Sequence, residues 1–162
     1  MNILISACLL GINCKYNETS NENDMPKDKL TTLKSMVTLI PFCPEIYGGL
    51  ETPRNPCEIQ NGRVINSLGE DKTAQYIKGA NETLKIARMF NCNFALLKER
   101  SPSCGSKTIY DGTFSHTERH GLGITAELLI DNNIKVFGES EIDDLLENIK
   151  IAKSPTQLRF SF

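Results

Sequence analysis

At 162 residues, the chain is long enough for one domain with a real core and too short for two comfortable ones. Its 40% apolar and 23% charged content is ordinary for a globular protein, and its net charge of -2 leaves no basic footprint for a nucleic-acid backbone. No uninterrupted apolar run approaches the roughly 18 residues that a bilayer span needs, so neither membrane insertion nor stable nucleic-acid binding is expected.

In chain order, Asn2–Ser6 reads as a short buried strand. The opening "MNILISACLLG" has no basic n-region, and Ser6 and Cys8 interrupt its apolar segment, so it is a strand rather than a signal peptide and the protein is expected to be cytoplasmic. Met25–Ser35 follows as a short helix, with Pro26 suited to a first-turn position. Met36–Phe42 is a second strand, β-branched until Pro41 stops it. "EIQNGRVI", Glu58–Ile65, centres Asn61-Gly62 between β-prone pairs and predicts a small hairpin with a type I′ turn. The longest helix runs from about Asp71 to Asn91, with Ile77, Ala80, Leu84 and Ala87 on its core side. Asn93–Lys98 is a third strand, Gly123–Asn132 a helix, Ile134–Phe137 a fourth strand, and Ser140–Ile149 a last helix N-capped by Ser140.

Alternation of helices with continuous apolar strands predicts an α/β fold. The expectation is a single three-layer, Rossmann-like domain over residues 1–150, with a parallel sheet of about four strands and helices on both faces. Residues 151–162 form a C-terminal tail, polar and then aromatic, either loosely attached or packed on a neighbouring subunit.

The chain carries six cysteines. In a reducing compartment these are more readily metal ligands or reactive groups than disulfides. Cys8 lies just past the carboxyl end of the first strand, Cys43 just past the second, and Cys104 shortly after the third, in "KERSPSCG". Carboxyl ends of parallel strands form the ligand-binding edge of open α/β sheets, so the three thiols should converge. A tetrahedral zinc site usually takes four ligands in close pairs such as C-x-x-C, and that pairing is absent. An iron–sulfur cubane held by three thiolates keeps one iron open to a substrate. Three buried structural cysteines, or a catalytic thiol served by a histidine, are the competing readings. "HTERH", His116 to His120, has helical metal-ligand spacing but reads better as a solvated turn and helix start. Gly121 and Gly123 could let the backbone approach a ligand.

"ISACLLGINCKYN", "CPEIYGGLETPRNPCEI" and "KERSPSCG" together resemble the three signature segments of the thiouracil desulfidase family, in the right order and spacing across most of the chain. The resemblance implies a compact α/β protein in which Cys8, Cys43 and Cys104 hold an oxygen-sensitive [4Fe–4S] cluster, one that aerobic preparation can remove. It implies an enzyme that takes sulfur from 2-thiouracil or a related thiolated pyrimidine without redox change, through a cluster-bound hydrosulfide ([4Fe–5S]) intermediate. It further implies Glu45 as catalytic acid/base and Ser101 as second catalytic residue, with Ser103 lining the pocket. Arg54, in "PRNP", follows a glycine-rich turn near the same edge and is expected in the substrate pocket, where it could hold an anion or a substrate carbonyl.

A carboxylate beside the cluster suits water activation, and a serine hydroxyl can orient water or substrate. Simpler roles compete: Glu45 as a helix N-terminal carboxylate, Ser101 as a turn initiator, Arg54 as a salt-bridge partner. Cys14 and Cys57 are expected to be non-ligands. The alternative function is a non-catalytic cluster- or metal-binding redox or sensing module, which predicts a fourth protein ligand, Cys14, closing the site.

Overall fold

The computed structural model of the chain describes residues 1–154. Its centre is a four-stranded parallel sheet of β1 (Asn2–Ser6), β2 (Thr38–Phe42), β5 (Phe94–Leu97) and β8 (Lys135–Gly138), ordered β2-β1-β5-β8. The four expected strands are therefore present and parallel. Alternation along β1 and β5 sends Ile3, Ile5, Phe94 and Leu96 to one face and Leu4, Ala95 and Leu97 to the other, all buried.

Helices cover both faces. On the first, α1 (Lys27–Met36) and α5 (Ile142–Lys153) deliver Leu33, Leu145 and Ile149. On the second, α3 (Thr73–Met89) and α4 (Ile124–Asp131) deliver Leu84, Ala87 and Leu129. Three layers result, as the apolar pattern predicts. A short helix, α2 (Pro44–Tyr47), follows β2 directly. The buried stripe of α3 is Tyr76, Gly79, Ala80, Thr83, Leu84 and Ala87. Ile77, placed on the core side from sequence, is 49% exposed, because Gly79 seats against Pro44 of α2 and Tyr76 turns inward instead.

Two hairpins stand outside the main sheet. β3 (Cys57–Gln60) and β4 (Arg63–Asn66) pair across Asn61-Gly62, whose φ angles of 49° and 77° fit the expected I′ turn. The second pairs β6 (Thr108–Tyr110) with β7 (Glu118–His120). His116–His120 thus ends in a strand, where the sequence pattern had placed a helix start. Likewise Ser140 is no N-cap: it lies inside a 3-10 turn (Glu139–Glu141), and Gly138 N–H donates to the Glu141 carboxylate at 2.9 Å. The tail assigned to 151–162 begins inside α5, which runs through Lys153, and its 155–162 portion lies outside the described residues. Among the described residues, no helix is long and apolar enough to cross a membrane.

Candidate active site at the carboxyl edge of the sheet

Three strand ends feed one edge. After β1 the chain tightens into a 3-10 helix, Ala7–Leu10, which holds Cys8 and closes on Gly11 in the left-handed region at φ 89°. After β2, Cys43 takes the N-cap position of α2, with Pro44 at its first turn. Glu45 therefore sits in a first helical turn, where a carboxylate is favoured. After β5 the chain passes Arg100 at φ 65° into Ser101-Pro102-Ser103-Cys104-Gly105.

That last loop is fixed by its own hydrogen bonds. The Ser101 Oγ accepts the backbone N–H of Ser103 and of Cys104, each at 3.1 Å, and the Ser101 carbonyl accepts that of Gly105 at 2.9 Å. Ser101 thus has the turn-forming role set against catalysis in the sequence reading, and its hydroxyl proton stays free to donate. The amino end of α4 docks on the same loop: Ile124 N–H donates to the Pro102 carbonyl and Thr125 N–H to the Ser103 carbonyl, both at 2.9 Å. A Cβ on Gly123 would lie 2.4 Å from the Ser103 carbonyl carbon. The glycine permits close approach to the protein's own site loop.

All six cysteines are free, and Cys8, Cys14, Cys43 and Cys104 gather at this edge. The Cys14 thiol interacts with both Cys8 and Cys43 and holds each below the ordinary thiol range. The Asn21 side chain and the Lys98 charge add to this at Cys8, as do the Ile46 backbone N–H and the Arg54 charge at Cys43. The same contacts drive the pKa of Cys14 itself far upward. Burial raises that of Cys104, which interacts with the Ser6 side chain and feels the charges of Cys8, Cys43 and Glu45. Among the described residues no group of three or more His, Cys, Asp or Glu closes on a single metal ion. The donor set is all sulfur, two members are biased toward thiolate, and cations stand behind them. It suits a thiophilic inorganic group.

Glu45 is held tightly. Its Oε2 accepts Arg54 Nε–H at 2.9 Å and Nη2–H at 2.5 Å, and its Oε1 accepts the Ser103 hydroxyl at 3.0 Å. The structure thus brings Glu45, Arg54 and Ser103 into direct contact, with Ser101 two residues from Ser103. Sequence reasoning missed Asn21, Lys98 and the buried Tyr76, which interacts with Cys57 and lies near Glu45. A lysine ending the apolar strand "FALLK" was the one available signal. His116 and His120 stand apart, exposed, with His116 stacked edge-on against Tyr110.

Comparison with known proteins adds a lineage. The model of the 2-thiouracil desulfurase family matches residues 3–141. The uncharacterized protein YbbK of Bacillus subtilis (strain 168) is 39% identical over 154 residues, covering 89% of this chain and 99% of that protein. The solved structure of a [4Fe-4S]-dependent thiouracil desulfidase, TudS, superposes with a TM-score of 0.87 at 39% identity, covering 93% of this chain and 98% of that one.

Proposed function

The chain belongs to the 2-thiouracil desulfurase family, and from that membership we propose that it removes sulfur from 2-thiouracil or a closely related thiolated uracil. The observation that carries the reading is the convergence of Cys8, Cys43 and Cys104, from three different strand ends, beside the half-buried carboxylate of Glu45. The overall change is a hydrolysis: the thiocarbonyl carbon exchanges sulfur for the oxygen of water, giving a carbonyl and hydrogen sulfide with no net redox.

Cys8, Cys43 and Cys104 would hold a [4Fe–4S] cluster of the kind on which the thiouracil desulfidase TudS depends. Such a cluster supplies a Lewis-acidic iron without a protein ligand, which binds a thiocarbonyl sulfur and makes its carbon more electrophilic. The remaining chemistry falls to the chain. Glu45 takes a proton from water as the C–O bond forms and returns one to the departing sulfur. Ser101, with both its acceptor positions occupied by backbone N–H groups, donates its hydroxyl proton to orient substrate or water. Cys14 stays outside the ligand set. Its carbonyl is bound by Arg54 Nη2–H at 3.0 Å, which keeps its loop attached to α2.

The test is anaerobic reconstitution with iron and sulfide, followed by iron counting and a 2-thiouracil turnover assay on one sample. About four irons per chain with uracil and sulfide released, both lost in Cys43→Ala, is the expected result. A stable cluster with no sulfur released from any thiolated pyrimidine would favour the cluster-storing or sensing module instead.

A further inference from the structure

The two oxygens of the Glu45 carboxylate are not equivalent. Oε2 accepts two N–H groups, both from the Arg54 guanidinium, while Oε1 accepts one hydroxyl, that of Ser103. A carboxylate oxygen offers about two lone-pair positions. Both are occupied on Oε2 and one is open on Oε1, so only Oε1 can take a proton without giving up a hydrogen bond.

Arg54 has nothing left for a substrate. A guanidinium has five N–H donors, and each finds an acceptor inside the protein. Nε–H and one Nη2–H go to Glu45 Oε2, the other Nη2–H to the Cys14 carbonyl at 3.0 Å. The two Nη1–H groups go to the Glu51 carbonyl at 3.1 Å and the Thr52 hydroxyl at 3.0 Å. Its side chain is 9% exposed. The backbone is tied down as well, Arg54 N–H donating to the Tyr16 carbonyl at 2.8 Å. A residue so completely engaged is poorly suited to hold an anion or a substrate carbonyl, the role that its place after a glycine-rich turn near the sheet edge suggested.

We propose that Arg54 is the positioning residue of the reaction: it chelates Glu45 Oε2, fixes the carboxylate plane, and leaves Oε1 as the oxygen that exchanges protons with water and the departing sulfur. The inference rests on the desulfidase reading given above. Its structural logic is that the Glu45 side chain, in the first turn of a four-residue helix, is otherwise oriented by a single hydroxyl, that of Ser103. A lysine could neutralise the charge but could not deliver two N–H groups to one oxygen from a planar fork.

The experiment uses the anaerobically reconstituted full chain as wild type, Arg54→Ala and Arg54→Lys, with iron content, kcat and KM for 2-thiouracil measured on each. Loss of the clamp is expected to lower kcat by about 100-fold, the scale of an ångström-level misplacement, with KM and iron content little changed. Millimolar guanidinium ion should restore part of the kcat of Arg54→Ala, more than the lysine variant recovers and more than a simple alkylammonium ion does. A raised KM at unchanged kcat would show Arg54 to be a substrate ligand and overturn the proposal. So would loss of iron in step with activity, which would make the clamp a support for the cysteine loops. The pairing is read separately from melting temperatures of Arg54→Ala, Glu45→Gln and the double variant. Destabilisations that add fully would mean the two residues are not coupled, again overturning it. A wild-type protein that carries its full iron and releases no sulfur overturns the desulfidase reading itself, a result distinct from an active wild type whose Arg54 variants are equally active.

Discussion

A Cβ placed on Gly79 would lie 1.8 Å from the carbonyl oxygen of Pro44. Gly79 is in the middle of α3, and Pro44 opens α2 between Cys43 and Glu45. Gly48, at the other end of α2, meets α3 as closely, its Cβ falling 2.2 Å from the Gln75 carbonyl oxygen. Two glycines thus bring α2 down onto α3 backbone to backbone, and the depth of that contact sets where one thiol and the carboxylate stand.

Gly79→Ala should therefore damage a site it does not touch. A glycine inside a helix normally costs about 1 kcal/mol relative to alanine, so a tolerated substitution would raise the melting temperature. Here the methyl group meets backbone, and overpacking of about 1–3 kcal/mol should outweigh that gain. We expect a net fall in melting temperature of a few degrees at this chain length, together with reduced iron retention and turnover. An unchanged or raised melting temperature would show that α2 can lift at no cost.

Much of this arrangement was legible in the sequence. Four short apolar runs predicted the parallel strands, and their order with respect to Cys8, Cys43 and Cys104 predicted the shared edge. The β6–β7 hairpin was not legible, because its one turn signature, Asp111-Gly112, does not close a two-residue turn: the loop runs on from 111 to 117 before β7 begins. It is shaped by a carboxylate far away in sequence: Glu58 Oε2 accepts Gly112 N–H at 2.9 Å and Phe114 N–H at 3.0 Å. The Arg54–Glu45 salt bridge was foreseeable as one option among several. Which oxygen it occupies depends on how α2 and the segment after it turn, and no residue pattern encodes that.

Cys14 separates the two functional readings most directly. If three thiolates hold the cluster, Cys14→Ser should keep about four irons per chain and an absorption spectrum close to that of the wild type. Cys8→Ser, Cys43→Ser and Cys104→Ser should each lose most of the iron. Should Cys14→Ser behave like these three, Cys14 is a ligand and no iron is left open for substrate.

Cys92 gives a pH prediction well away from the site. It follows α3, packs in the core against the sheet, and burial pushes its thiol up to about 11 from 9.0. Because the folded pKa is raised, the folded state favours the neutral thiol. The stability this contributes is fully present below the unfolded pKa and is lost as pH rises through the folded one. Between pH 9 and 11 the loss attributable to Cys92 approaches about 3 kcal/mol, at about 1.4 kcal/mol per pKa unit. Urea unfolding at pH 8 and at pH 10.5 should therefore show a smaller alkaline loss in Cys92→Ala than in wild type. The variant's cavity cost is the same at both pH values and drops out of the comparison. Parallel losses in the two proteins would remove Cys92 as the cause.

The last prediction concerns Lys98, which joins the cysteine edge to the far strand. Its backbone N–H donates to Ser6 Oγ at 3.1 Å, linking β5 to β1. Its ammonium group bonds the Glu139 carboxylate and the Glu99 carbonyl and stands 3.3 Å from Asp24. Lys98 and Glu139 are each 8% exposed. Removing one partner of such a pair leaves the other charge buried and typically costs about 3–5 kcal/mol, while replacing both with apolar groups is often close to neutral. Glu139 has a further tie, since its Oε2 accepts Glu99 N–H at 2.6 Å, so its removal also orphans a backbone donor. Lys98→Met should accordingly lower stability by several kcal/mol, and Lys98→Met with Glu139→Leu should recover part of that loss but not all of it. Asp24, released from Lys98, would also free the turn that carries Asn21 toward Cys8. Iron retention in the double variant should then fall below wild type even where its stability is mostly restored. If stability and iron retention recover together, Lys98 serves the fold alone and has no part in holding the cysteine edge.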